Sequence, residues 1–206
     1  MWLTDNKNSS NNIAWLINIT YAFFTYELHH YLLDYQSIIS WNMSLLDKEP
    51  VKRAEKFLKK FDKSLEVIIL EKSARTAQDA ATALDCNVGA IVKSLLFKMD
   101  DGFILCLVAG DRRCSLKKLK QIKNKKDISM ASPDDVKTQT GFTIGGVSPV
   151  GHINKVEIFI DKSLERFIEL FAAAGHPNCV FKINFKDIQK ITNGKVENII
   201  EWGNLN

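Results

Sequence analysis

Between Thr140 and His152 the chain reads TGFTIGGVSPVGH, and four of its ten glycines fall in that stretch. No regular element accommodates such a density. Glycine lacks the Cβ that confines φ to negative values, and Pro149 has no N–H to contribute to a hydrogen-bond ladder. The chain must build an irregular loop here. Such a loop can turn several backbone N–H groups toward one point, which suits an anion or a developing oxyanion. Ordinary turns use the same residues, so the flanking elements decide its meaning.

Upstream, Ser132-Pro133-Asp134-Asp135 predicts a helix start, with Ser at the N-cap, Pro at N1 and an acid at N3. That helix stops at Gly141. Downstream, residues 156–160 predict a strand ending at Asp161, then a helix over 164–174 closed by Gly175. Val51, Ala54, Phe57, Leu58 and Phe61 keep helical spacing behind Pro50, and 65–70 is a β-branched run that predicts a strand. Thr76-Ala77-Gln78-Asp79 has the form of a capping box opening a helix over 77–85. Strands over 90–98 and 103–109 are joined by Asp100-Asp101-Gly102, a hairpin signal. A helix over 115–122, strands over 127–131, 179–183 and 195–200, and a short helix between the last two complete the pattern. Short helices interleaved with strands, hairpins among them, mean an α/β domain on a mixed sheet rather than a doubly wound parallel one.

At 206 residues the chain can hold one domain of about 150 residues and an extension. Residues 1–42 differ from the rest. They are rich in Asn, Ile and aromatics, carry only Asp5, Lys7, Glu27 and Asp34 as acids and bases, and include His29-His30. They are expected to be poorly ordered, or an over-long reading frame before a start at Met43, leaving 43–206 as the domain. The apolar run 13–26 is too short to span a bilayer and contains Asn18. No secretory signal and no membrane partner are expected, with an amphipathic surface- or partner-binding helix as the alternative for this run. Cys86, Cys106, Cys114 and Cys179 form no CxxC pair and read as reduced thiols of a cytoplasmic protein. His152 and His176, the two histidines of the domain, cannot build an ordinary zinc site, and no metal or cofactor is expected. The net charge of +4 is compatible with a nucleic-acid partner. Lys117, Lys118, Lys120, Lys123, Lys125 and Lys126, beside Arg112 and Arg113, form either a solvated face or a set of phosphate contacts.

Lys93 is the first chemical candidate. On a strand face with Ile91, Leu95 and Phe97 it is the one charge, and an ammonium turned into an apolar face needs a partner or a ligand. The opposite orientation, with Val92, Ser94 and Leu96 inward, puts it in solvent, and periodicity allows both. Asp161 ends a strand before a helix, so it is a cap or a site residue. His152 closes the glycine loop as a possible acid, base or surface group. No serine, cysteine or histidine falls in a nucleophile motif, and nothing has Walker A form.

These pieces together resemble the YbaK/EbsC family of aminoacyl-tRNA editing domains, related to the insertion domain of bacterial prolyl-tRNA synthetase. The resemblance rests on Ser73-Ala74-Arg75-Thr76-Ala77, Ile91-Val92-Lys93-Ser94-Leu95-Leu96-Phe97, Ala109-Gly110-Asp111-Arg112-Arg113, the glycine loop, Ile160-Asp161, and Ala172-Ala173-Ala174-Gly175-His176-Pro177-Asn178, in order over about residues 44–200. It implies a YbaK-like α/β fold: a mixed, partly barrel-like sheet flanked by short helices. It implies hydrolysis of the ester linking a wrong amino acid to tRNA, without cofactor or covalent enzyme nucleophile. Water, a ribose hydroxyl or the substrate's own side chain attacks. Lys93 then holds the phosphate or ribose of the terminal adenosine, and N–H groups around Gly145 and Gly146 orient the ester carbonyl. Pro149, Gly151 and His152 shape the pocket wall, and Asp161 holds the amino group or braces the loop. Arg75, Thr76, Ser94, Arg112 and Ser148 join the substrate-binding candidates. Partners implied are the acceptor end of a mischarged tRNA and a synthetase, with the protein a monomer. His176 stands where many relatives have a small polar residue. The competing reading is a tRNA- or synthetase-binding module that has kept the fold without catalysis.

Overall fold

Two reciprocal capping boxes frame the domain, as the chain predicts. Thr76 and Asp79 exchange side-chain and backbone hydrogen bonds, and so do Ser132 and Asp135. The computed structural model describes residues 35–41, 43–71, 74 and 76–201. The chain falls into two compact units, Met1–Ser44 and Leu45–Asn206. In the first, residues 35–41 are helical and exposed.

The second unit runs α1 (Glu49–Phe61), β1 (Ile68–Ile69), α2 (Ala77–Ala83), β2 (Ile91–Met99), β3 (Gly102–Ala109), α3 (Leu116–Lys123), β4 (Ile128–Met130), α4 (Pro133–Thr140), β5 (Glu157–Asp161), β6 (Leu170–His176), β7 (Cys179–Ile183), α5 (Phe185–Thr192) and β8 (Lys195–Glu197). Short 3-10 turns lie at Val88–Ala90 and Lys162–Arg166. The eight strands form one sheet in the order β1-β7-β6-β2-β3-β5-β8, with β4 beside β2. Pairs β2–β6, β3–β5 and β5–β8 are parallel and the others antiparallel, so the fold is mixed α/β.

β3 is the spine. Ile104 to Ala109 are all fully buried, as expected of a strand covered on both faces. Leu105, Leu107 and Ala109 share one core with Val51, Ala54 and Leu58 of α1 and with Phe142, Val147 and Val150 of the glycine loop. Ile104, Cys106 and Val108 enter a second with Leu119 of α3, Phe159 and Ile199. A third joins Ala80 and Ala81 of α2 to Ile91, Phe171 and Val180.

Three local expectations need correcting. The helix over 164–174 is absent: the chain makes one 3-10 turn to Arg166 and then β6, which lies between β2 and β7. Ala172 to Ala174 are good helix formers, but their small side chains also let a strand pack between neighbours, and sheet pairing overrides propensity. In the run 65–70 only Ile68 and Ile69 pair, against β7. Phe57 and Phe61 keep the helical spacing of α1 yet stay exposed.

Candidate active site

A cavity opens where the sheet parts. On the edge of β2 away from β3, β6 pairs only with Ile91 and Val92, whereas β4 pairs from Phe97 to Met99. Leu96 O accepts from Ala131 N at 3.0 Å. Between them, Lys93-Ser94-Leu95 has no strand alongside. A cavity of about 480 Å³ fills the gap, a size usual for small-ligand sites. Its walls are largely apolar: Ala77 and Ala80 of α2, Phe171 and Ala173 of β6, Val180, Pro177, and Ile144, Gly145 and Val147 of the glycine loop. Thr76, Lys93 and Ser94 are the polar residues of its lining.

This gap settles the orientation that alternation left open. Lys93 is half-buried, lines the cavity, and donates from Nζ to the carbonyl oxygen of Arg112. Burial holds its pKa below the usual lysine value; Asp111 and Cys114 oppose that, while Arg113 adds to it. Asp111 is itself gripped by Arg166 through bonds of 2.7 and 3.0 Å. Ser94 Oγ is buried without a hydrogen-bond partner among the described residues. An orphan hydroxyl of this kind marks a place where a ligand or water belongs. Thr76 Oγ1 is occupied, accepting from Asp79 N at 3.1 Å.

The glycine loop leaves α4 through Gly141, which has φ +76°. A turn closes where Gly146 N donates to Thr143 O at 2.9 Å. The two adjacent glycines therefore differ. Gly145 (φ +86°) lines the cavity and its N–H makes no hydrogen bond among the described residues. Gly146 does not line it; its N–H is spent in the turn, and a Cβ there would sit 2.9 Å from His176 Cα. The expected pair of donors is thus corrected. Val147 lines the cavity with a similarly unengaged N–H, and nothing in its residue type could have indicated that.

The rest of the loop braces itself. Ser148 is fully buried; its Oγ accepts from Val150 N at 3.3 Å, and its carbonyl accepts from His152 Nε2 at 2.8 Å. Burial pushes the pKa of His152 down, the Ser148 carbonyl opposes this, and Arg53 reinforces it. Pro149, Gly151 and His152 line a separate hollow of about 640 Å³ beside Phe57 and Ile191, not the cavity at Lys93. Asp161 is buried with both oxygens used, Oδ1 by Ser163 N at 2.8 Å and Oδ2 by Ile199 N at 2.9 Å. It caps and staples rather than lining the cavity. Arg112 contributes its carbonyl to Lys93 and does not line the cavity. Arg75 lies outside the described residues.

Arg53 of α1 is the residue that sequence reasoning missed. Its Nε donates to Gly151 O at 2.6 Å, its Nη1 to Glu49 at 2.6 Å, and its guanidinium lies 4.8 Å from the centre of the Phe142 ring. A Cβ on Gly141 would approach Nη2 to 2.5 Å. The loop is pinned at both ends by one side chain. The only sequence sign is the i,i+4 pairing of Glu49 with Arg53, which ordinarily means a solvated helix face.

Among the described residues no three His, Cys, Asp or Glu side chains gather as a metal would require, and no helix is long and apolar enough to cross a membrane. The profile of the aminoacyl-tRNA editing domain matches residues 71–191. The chain belongs to that family. Lys93, Ser94 and Gly145 of the editing domain fall inside the matched stretch, while α1 with Arg53 precedes it. The uncharacterized protein YwhH of Bacillus subtilis (strain 168) is 36% identical over 132 residues, 64% of this chain and 83% of that protein. The proline–tRNA ligase of Thermosipho melanesiensis is 35% identical over 103 residues, which is 50% of this chain but only 18% of the ligase. A solved structure described as a candidate trans-editing enzyme for prolyl-tRNA synthetase is 35% identical, with a TM-score of 0.71 over 75% of this chain and 98% of the other.

Proposed function

We propose that this editing domain is an aminoacyl-tRNA deacylase acting in trans on mischarged tRNA in the cytoplasm. The observation that carries the reading is that one apolar cavity is lined by a tethered lysine, by a serine whose hydroxyl is unpaired, and by Gly145 and Val147, whose N–H groups have no acceptor among the described residues. Lys93 would hold the ribose or phosphate of the terminal adenosine, and Gly145 and Val147 would present donors to the ester carbonyl. Among the described residues no acid, histidine or cysteine lines the cavity. The attacking oxygen would therefore come from water or from the substrate itself. It bonds to the ester carbon, the bond to the ribose oxygen breaks, and that oxygen takes up the proton. The tRNA acceptor end is the main partner, and the likeness to proline–tRNA ligases supports docking near a synthetase as well.

The test is a deacylation assay over a panel of mischarged tRNAs with the full chain and Lys93→Ala. Hydrolysis of at least one member, abolished in the variant with its fold intact, is the expected result. Binding without hydrolysis of any member would make the protein a tRNA-binding module. Wild-type turnover by Lys93→Ala would refute the site.

A further inference from the structure

Beside the cavity, two hydrogen-bond donors face one another with no acceptor for them among the described residues. Lys48 Nζ lies 3.3 Å from Nε2 of His176. The other ring nitrogen, Nδ1, receives the backbone N–H of Asn178 at 3.1 Å. A backbone amide cannot change its role, so Nδ1 is bare and the neutral ring carries its proton on Nε2. A lysine ammonium is donor-only as well. The contact has no hydrogen-bond sense as it stands, and it acquires one when an oxyanion accepts from both groups.

The neighbouring acids do not supply that oxyanion. Glu49 is held by Arg53, and Asp47 by Lys52 at 2.8 Å. Cys179, near Lys48, is no thiolate: burial pushes its pKa up to about 11. Burial, and then Lys48, keep the pKa of His176 below its usual value, which agrees with a ring that stays neutral. Among the described residues Lys48 therefore has no anionic partner. The start of α1, for which Lys48 is the N-cap without a side-chain cap, adds its partial positive charge.

The position relative to the cavity selects the occupant. Pro177, the next residue after His176, lines the cavity and would lie 3.4 Å from a Cβ on Gly145. Gly146 packs on the His176 backbone. A polyanionic strand whose end sits against Lys93 would leave over this rim. We infer that Lys48 and His176 form a phosphate subsite that grips a backbone phosphodiester of the RNA strand whose end enters the cavity. This deepens the tRNA reading above and rests on it for the occupant. Lys48 lies outside the stretch matched to the editing-domain family, so the subsite would be a feature added by α1.

The experiment uses the full chain and three probes: inorganic phosphate, adenosine, and the trinucleotide CpCpA. Phosphate should shift the His176 ring resonances in wild type and not in Lys48→Gln. CpCpA should bind Lys48→Gln several-fold more weakly, with a log affinity against log salt slope shallower by about 0.7, the increment for one lysine contact on a single strand. Adenosine, which has no phosphate, should bind both proteins equally. His176→Ala should weaken CpCpA with the slope unchanged, because a neutral ring releases no counterion. Lys48→Gln leaves the Asn178–His176 bond alone, and its wild-type adenosine binding shows that the variant is folded. An unmoved His176 ring, or CpCpA binding that ignores Lys48, overturns the subsite; a ring shift with phosphate but no effect of Lys48→Gln on CpCpA means an adventitious ion only. Loss of all deacylation with Lys48-dependent CpCpA binding intact would sink the catalytic reading and leave the subsite standing.

Discussion

Arg53→Met removes the pin of the glycine loop while keeping an apolar stem against Phe142. The Gly151 carbonyl loses a charge-assisted bond of 2.6 Å, worth about 1.5–3 kcal/mol. The cation–π contact at 4.8 Å, largely shielded from water, is worth about 1–2 kcal/mol. The partner Glu49 is 71% exposed, so that ion pair adds no more than about 0.5 kcal/mol. Against these, Nη2 is buried without a hydrogen bond, and removing it returns about 1 kcal/mol. The balance is a loss of about 1.5–4.5 kcal/mol. Urea unfolding should show it as a lower midpoint at unchanged slope. Glu49→Gln should fall within about 0.5 kcal/mol of wild type. A cycle with Phe142→Leu should show coupling above about 0.5 kcal/mol, as expected for residues in contact. An Arg53→Met midpoint equal to wild type would refute the pin, and the loop would owe its shape to Phe142, Val147 and Val150 alone.

Gly145→Val and Gly146→Val should part company. At Gly145 the nearest foreign atom is a proline ring carbon at 3.4 Å, so the main effect is on φ and the N–H, and turnover should fall about 10²–10³-fold with tRNA binding nearly kept. At Gly146 the side chain meets His176 backbone, and thermal unfolding should show a loss of about 1–3 kcal/mol. For pH, His152 and His176 both have depressed pKa values against an ordinary 6.5. The unfolded chain binds protons that the native rings refuse, so stability is full above about pH 6.5 and is lost as pH falls through that value toward the native pKa values. Urea midpoints between pH 7.5 and 5 should fall, and fall less in His152→Gln. A chain begun at Met43 should fold and keep activity, since Leu45 and everything buried with it are retained; an insoluble or inactive product would refute the proposed boundary.

Local chemistry made much of the fold legible. Both capping boxes, the hairpin at Gly102 and the stop at Gly141 are decided within four residues, and the chain states them directly. β6 was not legible because Ala172-Ala173-Ala174 has nothing local to oppose a helix. Its strand state comes from β2 and β7, which are distant in sequence. The same limit applies to Lys93. β2 has buried residues on both faces, so alternation says nothing about where the ammonium goes. The parting of β6 from β4 decides it, and that is a property of the sheet.

At the site, residue type proved a weaker guide than the backbone's internal accounting. Gly145 and Gly146 are chemically identical, yet one N–H is free and the other is closed into a turn. Ser148, His152 and Asp161 are substrate-binding candidates in the sequence, but Ser148 Oγ, His152 Nε2 and both Asp161 oxygens are committed to the loop, to Ser163 or to Ile199. Among the described residues of the cavity lining, Ser94 Oγ, the N–H groups of Gly145 and Val147, and part of Lys93 remain unengaged. An ammonium has three N–H bonds, and Lys93 gives one to Arg112. Two are left to meet a phosphate or ribose oxygen without breaking the tether. Burial disfavours the charged lysine, and nearby Asp111 and Cys114 oppose that effect, so an arriving anion would restore what desolvation removed. A cavity lined, among the described residues, by no carboxylate, histidine or cysteine would, on the proposed reading, assist hydrolysis mainly by holding the ester still against fixed donors. The pinned loop and the tethered lysine are the two parts of the structure suited to that task.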